Sequence, residues 1–335
     1  MKSAFITEGK SQIRGVYSPE DMRLLEKEYS LNCDTVFNKE DILRNPEAFA
    51  DLEYIFSTWG MPTFTEEEIS SLFPKLKVLF YGAGSVRAFA EPFINRGVQV
   101  VSAWMANAVP VAEYAVSQII LANKGFFLST VLNRNPQAYT EASRFVYSFP
   151  GTYRTNVGLL GVGAIGSLVA EMLKGYQVNV YAYDPYLSEE KAAALGVQKE
   201  SLAFIFQNCQ TVSNHIANIP ETVGMLNYDL FGLMKENATF INTGRGAQIV
   251  EEDLIRALTE APLRTAVLDV TLPEPPAEGS KLYTLQNVFL TPHIAGSLGQ
   301  ECLRMGAYIT EEALRYKNGQ PLRYAVTRKM LETMA

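Results

Sequence analysis

The chain has 335 residues, of which 47% are hydrophobic and 19% charged, with 29 basic against 36 acidic side chains. That length and composition suit two globular domains with full cores, and the formal charge of −7 disfavours nucleic acid or an anionic membrane as a partner. Three cysteines at long spacings and only two histidines, His215 and His293, argue against a metal site and for free thiols in a reducing compartment, the cytoplasm.

The opening run, residues 1–8, has too few apolar residues before its first acid for a signal peptide, and reads as a buried strand. Further strands are expected at 54–58, 78–81 and 98–102, with helices between them. One helix is expected over 65–72, where Thr65 and Glu68 have the spacing of a capping box. A long apolar helix follows from Pro110, a residue suited to a first helical turn. No uncharged apolar run approaches the roughly 18–20 residues that span a bilayer. Residues 126–155 are aromatic-rich and less regular (Tyr139, Phe145, Tyr147, Phe149, Tyr153), which fits either an interface arm or a loop packed on its own core. From Asn156 the rhythm is regular, with strands expected at 157–160, 178–183, 211–216, 239–242, 266–270 and 288–290 and a helix at 301–316. Strands alternating with helices predict parallel sheets of the doubly wound kind.

The run Gly161-Val162-Gly163-Ala164-Ile165-Gly166 fits G-x-G-x-x-G, and it lies between a buried strand and a helix. In that setting the first glycine permits the tight turn, the second lets the backbone approach a pyrophosphate, and the third allows close helix–strand packing. The helix start then offers free N–H groups to the phosphates. Gly161, Gly163, Ala164, Ile165 and Gly166 are therefore cofactor-binding candidates. Asp184 ends the next strand, eighteen residues after Gly166, at the spacing of the acid that accepts from a ribose 2′-OH. No Arg follows it in Pro185-Tyr186-Leu187, so NAD is favoured over NADP. The alternative is a tight glycine turn with no ligand.

Ligands of open α/β sheets sit beyond the carboxyl ends of the strands. After the later strands come Thr243-Gly244-Arg245-Gly246, then Asp269 and Glu274, then Thr291-Pro292-His293. One guanidinium, two carboxylates and one imidazole at one rim suit hydride transfer to or from a 2-oxo or 2-hydroxy acid. Arg245 can grip the substrate carboxylate with paired planar donors. His293 can exchange a proton with the C2 oxygen, since imidazole titrates near neutrality. Glu274 can orient its ring, and Asp269 can hold the nicotinamide carboxamide. His215 also ends a strand and reads as a cofactor-side or structural histidine. Thr243 and Gly296, at the same edge, join the cofactor-binding candidates. Each has a plain alternative: Arg245 in a surface turn, His293 packed in a loop, Glu274 solvated in a Pro-rich turn.

These residues resemble the D-isomer-specific 2-hydroxyacid dehydrogenase family. Ile241-Asn242-Thr243-Gly244-Arg245-Gly246 resembles its I-N-x-x-R-G segment, Leu268 to Pro275 its L-D-V-x-x-x-E-P, and Leu290 to Ser297 its L-T-P-H-x-x-G-S. The resemblance implies that Arg245 binds substrate, that Glu274 partners the histidine, and that His293 is the acid/base. It implies two Rossmann- or flavodoxin-like parallel-sheet domains, with the NAD domain (107–298) inserted within a discontinuous substrate domain (1–106 and 299–335). It also implies a homodimer whose arm follows Asn107 to Glu113, and a substrate loop at Tyr81-Gly82-Ala83-Gly84. Trp59, Ala83 and Gly84 are thus substrate-binding candidates.

Two motifs depart from the family pattern. G-x-G-x-D-N becomes Gly82-Ala83-Gly84-Ser85-Val86-Arg87, and L-H-x-P-x-T becomes Asn214-His215-Ile216-Ala217-Asn218-Ile219. Trp59-Gly60 falls where phosphoglycerate-using relatives tend to carry a cation. The expectation is an NAD-dependent enzyme, running mainly as a 2-oxoacid reductase on a small unphosphorylated acid of the glyoxylate, hydroxypyruvate or glycerate kind. The other reading is an NAD-sensing protein like the family's corepressor members, with little turnover.

Overall fold

The computed structural model describes residues 1–333, which fall into two compact units. Unit 1 is Met1–Ala108 with Ser297–Ala335, and unit 2 is Val109–Gly296.

In unit 1 the strands are β1 (Ser3–Ile6), β2 (Val36–Phe37), β3 (Tyr54–Ser57), β4 (Val78–Tyr81) and β5 (Gln99–Ser102). They pair in the order β5-β4-β3-β1-β2, all parallel. Strands β1 and β4 are buried throughout, as expected of a parallel sheet covered on both faces. Phe5, Phe56 and Phe80 lie in one register row across β1, β3 and β4, and the Phe56 and Phe80 rings stack at 5.0 Å. Helix Pro19–Tyr29 and the last long helix, Gln300–Lys317, pack together, with the Tyr29 hydroxyl donating to the Ala313 carbonyl. The capping box expected at Thr65 forms: the Glu68 N–H donates to Thr65 Oγ1 at 3.2 Å, and the Thr65 N–H to Glu68 Oε2 at 2.9 Å.

Unit 2 holds β6 (Asn156–Leu160), β7 (Asn179–Tyr183), β8 (Gln198–Lys199), β9 (Thr211–Asn214), β10 (Thr239–Asn242), β11 (Thr265–Leu268) and β12 (Val288–Leu290). Their order is β12-β11-β10-β9-β6-β7-β8, all parallel. The winding reverses between β6 and β9, which makes the crevice beyond their carboxyl ends the natural ligand position. The register is unusually informative. Tyr183, Leu160, Asn214, Asn242, Leu268 and Leu290 form one continuous row across six strands. The residues that follow that row are Asp184, Gly161, His215, Thr243, Asp269 and Thr291.

Three differences from the sequence reading have physical causes. Pro110 lies inside the helix Trp104–Asn123, not in its first turn. The helix begins six residues earlier, through Trp104 to Val109, where the apolar periodicity is weak. This helix is long and apolar enough to cross a membrane. It carries Glu113, however, and its Ala112, Ala115, Ile119 and Ala122 are buried in the core of unit 2. Residues 126–155 are more ordered than expected, with helices Phe126–Leu132 and Tyr139–Val146 packed on each other. Three two-residue edge strands escaped the pattern: β2, β8 and Ala325–Val326, the last antiparallel to β5. Two residues are too few to show a period.

A buried carboxylate holds the Ala325–Val326 edge in place. Glu312 is fully buried, and its Oε2 accepts from the Arg323 N–H at 2.8 Å and the Tyr324 N–H at 3.0 Å. Glu312→Ala is expected to cost about 2 kcal/mol, by removing the acceptor of two part-buried, charge-assisted bonds. Glu312→Gln, which keeps a carbonyl acceptor, should cost less. Hydrogen exchange at Arg323 and Tyr324 should accelerate in the Ala variant; unchanged protection there would refute the assignment.

Candidate active site

The glycine turn follows β6. Gly161 has φ +87°, and a Cβ on it would meet the His215 carbonyl oxygen at 2.8 Å, so only glycine lets this turn lie against the end of β9. A Cβ on Gly166 would strike the Gly161 carbonyl oxygen at 2.0 Å, which explains the close seat of helix Ala164–Leu173 on the turn. Gly163 faces open space, with nothing within 4 Å of where a Cβ would stand. The helix start has no side-chain cap, so Ala164 and Ile165 sit at free N–H groups. Asp184 is bound to this turn. Its Oδ2 accepts from the Val162 N–H at 2.7 Å and its Oδ1 from the Tyr186 N–H at 2.8 Å.

Arg245 rests on a buried amide network that the sequence reading did not single out. Asn214, Asn242 and Gln248 are each fully buried. Asn214 Nδ2 donates to Asn242 Oδ1 at 2.9 Å and to Gln248 Oε1 at 2.6 Å. Gln248 Oε1 also accepts from the Arg245 N–H, Asn242 Oδ1 from the Gly244 N–H, and Asn242 Nδ2 donates to the Arg245 carbonyl. The backbone on both sides of Arg245 is thereby fixed without any charge. Its own Nη1 donates to the Gly244 carbonyl at 2.7 Å. Burial lowers the guanidinium below its ordinary value, while the charge of Glu274 raises it. The Arg245 loop also meets the loop after β11. A Cβ on Gly246 would strike Thr271 backbone at 2.0 Å, so this glycine lets the two loops touch.

His293 and Glu274 form a pair, with Nδ1 and Oε1 2.7 Å apart. They line a cleft of about 410 Å³ with Thr271, Tyr283 and Thr291. His293 has φ +56°, a left-handed conformation that costs a non-glycine residue on the order of 1 kcal/mol. Asp269 holds that loop. Its Oδ1 accepts from Thr291 Oγ1 at 2.6 Å and the Ile294 N–H at 2.8 Å, and its Oδ2 from the Ala295 N–H at 2.9 Å. Its carbonyl accepts from the His293 N–H at 3.1 Å. The sequence reading had Asp269 holding the nicotinamide carboxamide. The carboxylate is 2% exposed and already committed to the loop that presents His293 and leads to Gly296.

In unit 1, the loops after β1, β3 and β4 share one sheet edge. Thr7 Oγ1 donates to the Trp59 carbonyl at 2.7 Å, and Thr58 Oγ1 to the Gly82 carbonyl at 2.9 Å. Trp59 is half-buried. Ala83 is fully buried, and its carbonyl accepts from Ser102 Oγ at 2.9 Å. Gly84 lies against Asn107, whose Nδ2 would be 3.1 Å from a Cβ there. Asn107 Oδ1 accepts from the Ser297 N–H at 3.0 Å.

Residues 132–295 match the model of the D-isomer specific 2-hydroxyacid dehydrogenase, NAD binding domain. That segment belongs to this family. The chain is 30% identical over 243 residues to D-3-phosphoglycerate dehydrogenase of Archaeoglobus fulgidus, covering 71% of this chain and 44% of the relative. It is 28% identical over 306 residues to the enzyme of that name from Methanocaldococcus jannaschii, covering 89% and 56%. The chain thus spans about half the length of the curated relatives it matches. Holo D-mandelate dehydrogenase of Rhodotorula graminis shares the fold, with a TM-score of 0.80 at 21% identity and 98% of each chain covered. So does an NAD complex of a D-isomer specific 2-hydroxyacid dehydrogenase from Lactobacillus delbrueckii, with a TM-score of 0.76 at 20% identity, covering 98% of this chain and 100% of that one.

The residues present in the NAD-binding domain fit the dinucleotide: an open glycine, an uncapped helix start and an acid at the end of the next strand. His215 and Thr243, both expected on the cofactor side, are a buried pair. His215 Nδ1 lies 3.2 Å from Thr243 Oγ1, and Nε2 lies 3.0 Å from Ser213 Oγ. Burial pushes the imidazole down to about 4 from its ordinary 6.5. It is therefore neutral near pH 7 and poorly suited to acid/base work there. Between pH 6.5 and 4 the unfolded chain binds a proton that the folded chain refuses. Its contribution to stability is complete above about 6.5 and is lost as pH falls towards 4, on the order of 3 kcal/mol in all. His215→Asn should remove that slope. From pH 7.5 to 5, wild type should lose about 2 kcal/mol more than the variant in denaturant unfolding. Parallel losses in both proteins would exclude His215 as the source.

Proposed function

We propose that the chain is an NAD-dependent oxidoreductase that interconverts a small 2-hydroxy acid of D configuration and its 2-oxo acid. The observation that carries this is the 2.7 Å His293–Glu274 pair at the rim where the same sheet presents Arg245 and the glycine turn. In reduction, the bound nicotinamide supplies a hydride to C2. Arg245 holds the substrate carboxylate and polarises the C2 oxygen. His293 gives that oxygen a proton. Ionised Glu274 only accepts, so the bond from Nδ1 fixes the ring and leaves Nε2 as the nitrogen that moves the proton. Oxidation reverses each step. Thr243, Asp269, His215 and Gly296 shape the cofactor side through the loops they hold.

Unit 1 is the substrate domain in this reading, with Trp59, Ala83 and Gly84 as its substrate-binding candidates. An unphosphorylated substrate is favoured. Three cations beside that edge face carboxylates: Lys10 with Asp41, Arg14 with Asp34 and Lys39 with Glu68. Three free cysteines support action in the cytoplasm. The exposed rings of Phe126, Tyr139, Tyr147 and Tyr153 support a homodimer through residues 126–155.

NADH consumption should be measured with glyoxylate, hydroxypyruvate and phosphohydroxypyruvate. Turnover should be strongest with an unphosphorylated acid. His293→Asn should lower kcat about a thousandfold and Glu274→Gln about a hundredfold, while Arg245→Ala should raise KM as well as lower kcat. All three should bind NADH within about threefold of wild type. Intact turnover in the Arg245 and His293 variants would sink the assignment. Tight NADH binding with no acid turned over would favour the NAD-sensing reading.

A further inference from the structure

Val162, between the first two glycines of the turn, is 2% exposed, and a charged side chain holds each of its backbone groups. Its N–H donates to Asp184 Oδ2 at 2.7 Å. Its carbonyl accepts from Lys191 Nζ at 2.9 Å and from Ser167 Oγ at 3.0 Å. Lys191 comes from the helix Glu189–Leu195, and its own N–H is fixed on the capping Ser188 hydroxyl at 3.2 Å.

A peptide unit is planar and trans, so a carbonyl and the N–H that follows it point in opposite directions. Anchoring the Val162 carbonyl on Lys191 and Ser167 therefore aims the Gly163 N–H the other way. Gly163 is exposed, open space lies before it, and no hydrogen bond among the described residues uses its N–H. By the same rule, anchoring the Val162 N–H on Asp184 directs the Gly161 carbonyl, the one that excludes a side chain at Gly166. An acid and a base thus grip one residue from its two ends. Asp184 stands at the ribose position, so Lys191 puts a cation beside the adenosine end of the site.

We propose that Lys191 is a positioning and specificity-determining residue of the dinucleotide site, resting on the NAD reading above. It aims the Gly163 N–H for the pyrophosphate. It is also the cation that would receive a 2′-phosphate once the negative charge of Asp184 is removed. An ammonium serves a phosphate as a point charge without exacting geometry. Asp184 masks that capacity in the native chain.

The test is titration of the full chain with NADH and NADPH, followed by nicotinamide fluorescence. Lys191→Ala should weaken NADH binding about tenfold and raise its KM, with kcat at saturating NADH unchanged. Lys191→Arg should restore most of the loss. Asp184→Asn should shift the NADPH-to-NADH affinity ratio about tenfold towards NADPH, and Asp184→Asn with Lys191→Ala should not. NADH binding by Lys191→Ala equal to wild type, or the same ratio in the single and double Asp184 variants, overturns the role of Lys191 alone. Failure of the wild-type chain to bind NADH overturns the dinucleotide reading with it.

Discussion

Parallel pairing carries a constraint that antiparallel pairing does not: every strand leaves the sheet at the same edge. In unit 2 six strands keep one register row from Tyr183 to Leu290. With neighbouring strands about 4.8 Å apart, residues that follow the row are delivered side by side along one rim. Asp184, the glycine turn, His215, Thr243, Asp269 and the loop to His293 all follow it. A slip of one residue in any strand would turn its side chains to the other face and withdraw its loop from the rim.

The rim is held mainly by neutral or single-charge contacts to backbone. Asn214, Asn242 and Gln248 satisfy one another and fix the backbone around Arg245. Buried amides do this at low electrostatic cost, because no charge has to leave water. Asp269 is the one buried acid in the arrangement. It is tolerable because two backbone N–H groups and one hydroxyl donate to it. Beyond the Arg245 Nη1 bond to the Gly244 carbonyl, the Thr271 N–H on Glu274 Oε2 and the pair that Glu274 makes with His293, the polar ends of Arg245, Glu274 and His293 have no partner in the fold among the described residues. Groups that the fold does not consume are the groups available for chemistry, and the left-handed backbone at His293 fits a loop whose shape its surroundings impose.

The long elements were legible because their signals are local and repeated. Strand runs such as 78–81 and 239–242 match the observed strands, and Thr65 caps its helix as its spacing predicts. Short or ambiguous signals were not. The two-residue edge strands have no period of their own and exist only because a neighbouring strand offers hydrogen bonds. Pro110 could mark a helix start or sit within a helix, and only the continuation from Trp104 decided between them. No Arg stands in 185–187 just after Asp184, whereas Lys191 arrives from the following helix.

By itself the sequence determined the chemistry present at each strand end: the three glycines and Asp184, then Arg245, Asp269, Glu274 and His293. It could do so because residue type and spacing along a strand–loop–helix unit are local properties. Tertiary structure alone decided which partner each group faces. It set Glu274 on His293, bound Asp269 to the histidine loop, buried His215 between Ser213 and Thr243, and closed Asp184 and Lys191 on Val162. Apart from Ser213 with His215, those pairings join residues from different strands and loops, up to 29 positions apart, and only strand order and register bring such residues within hydrogen-bond distance.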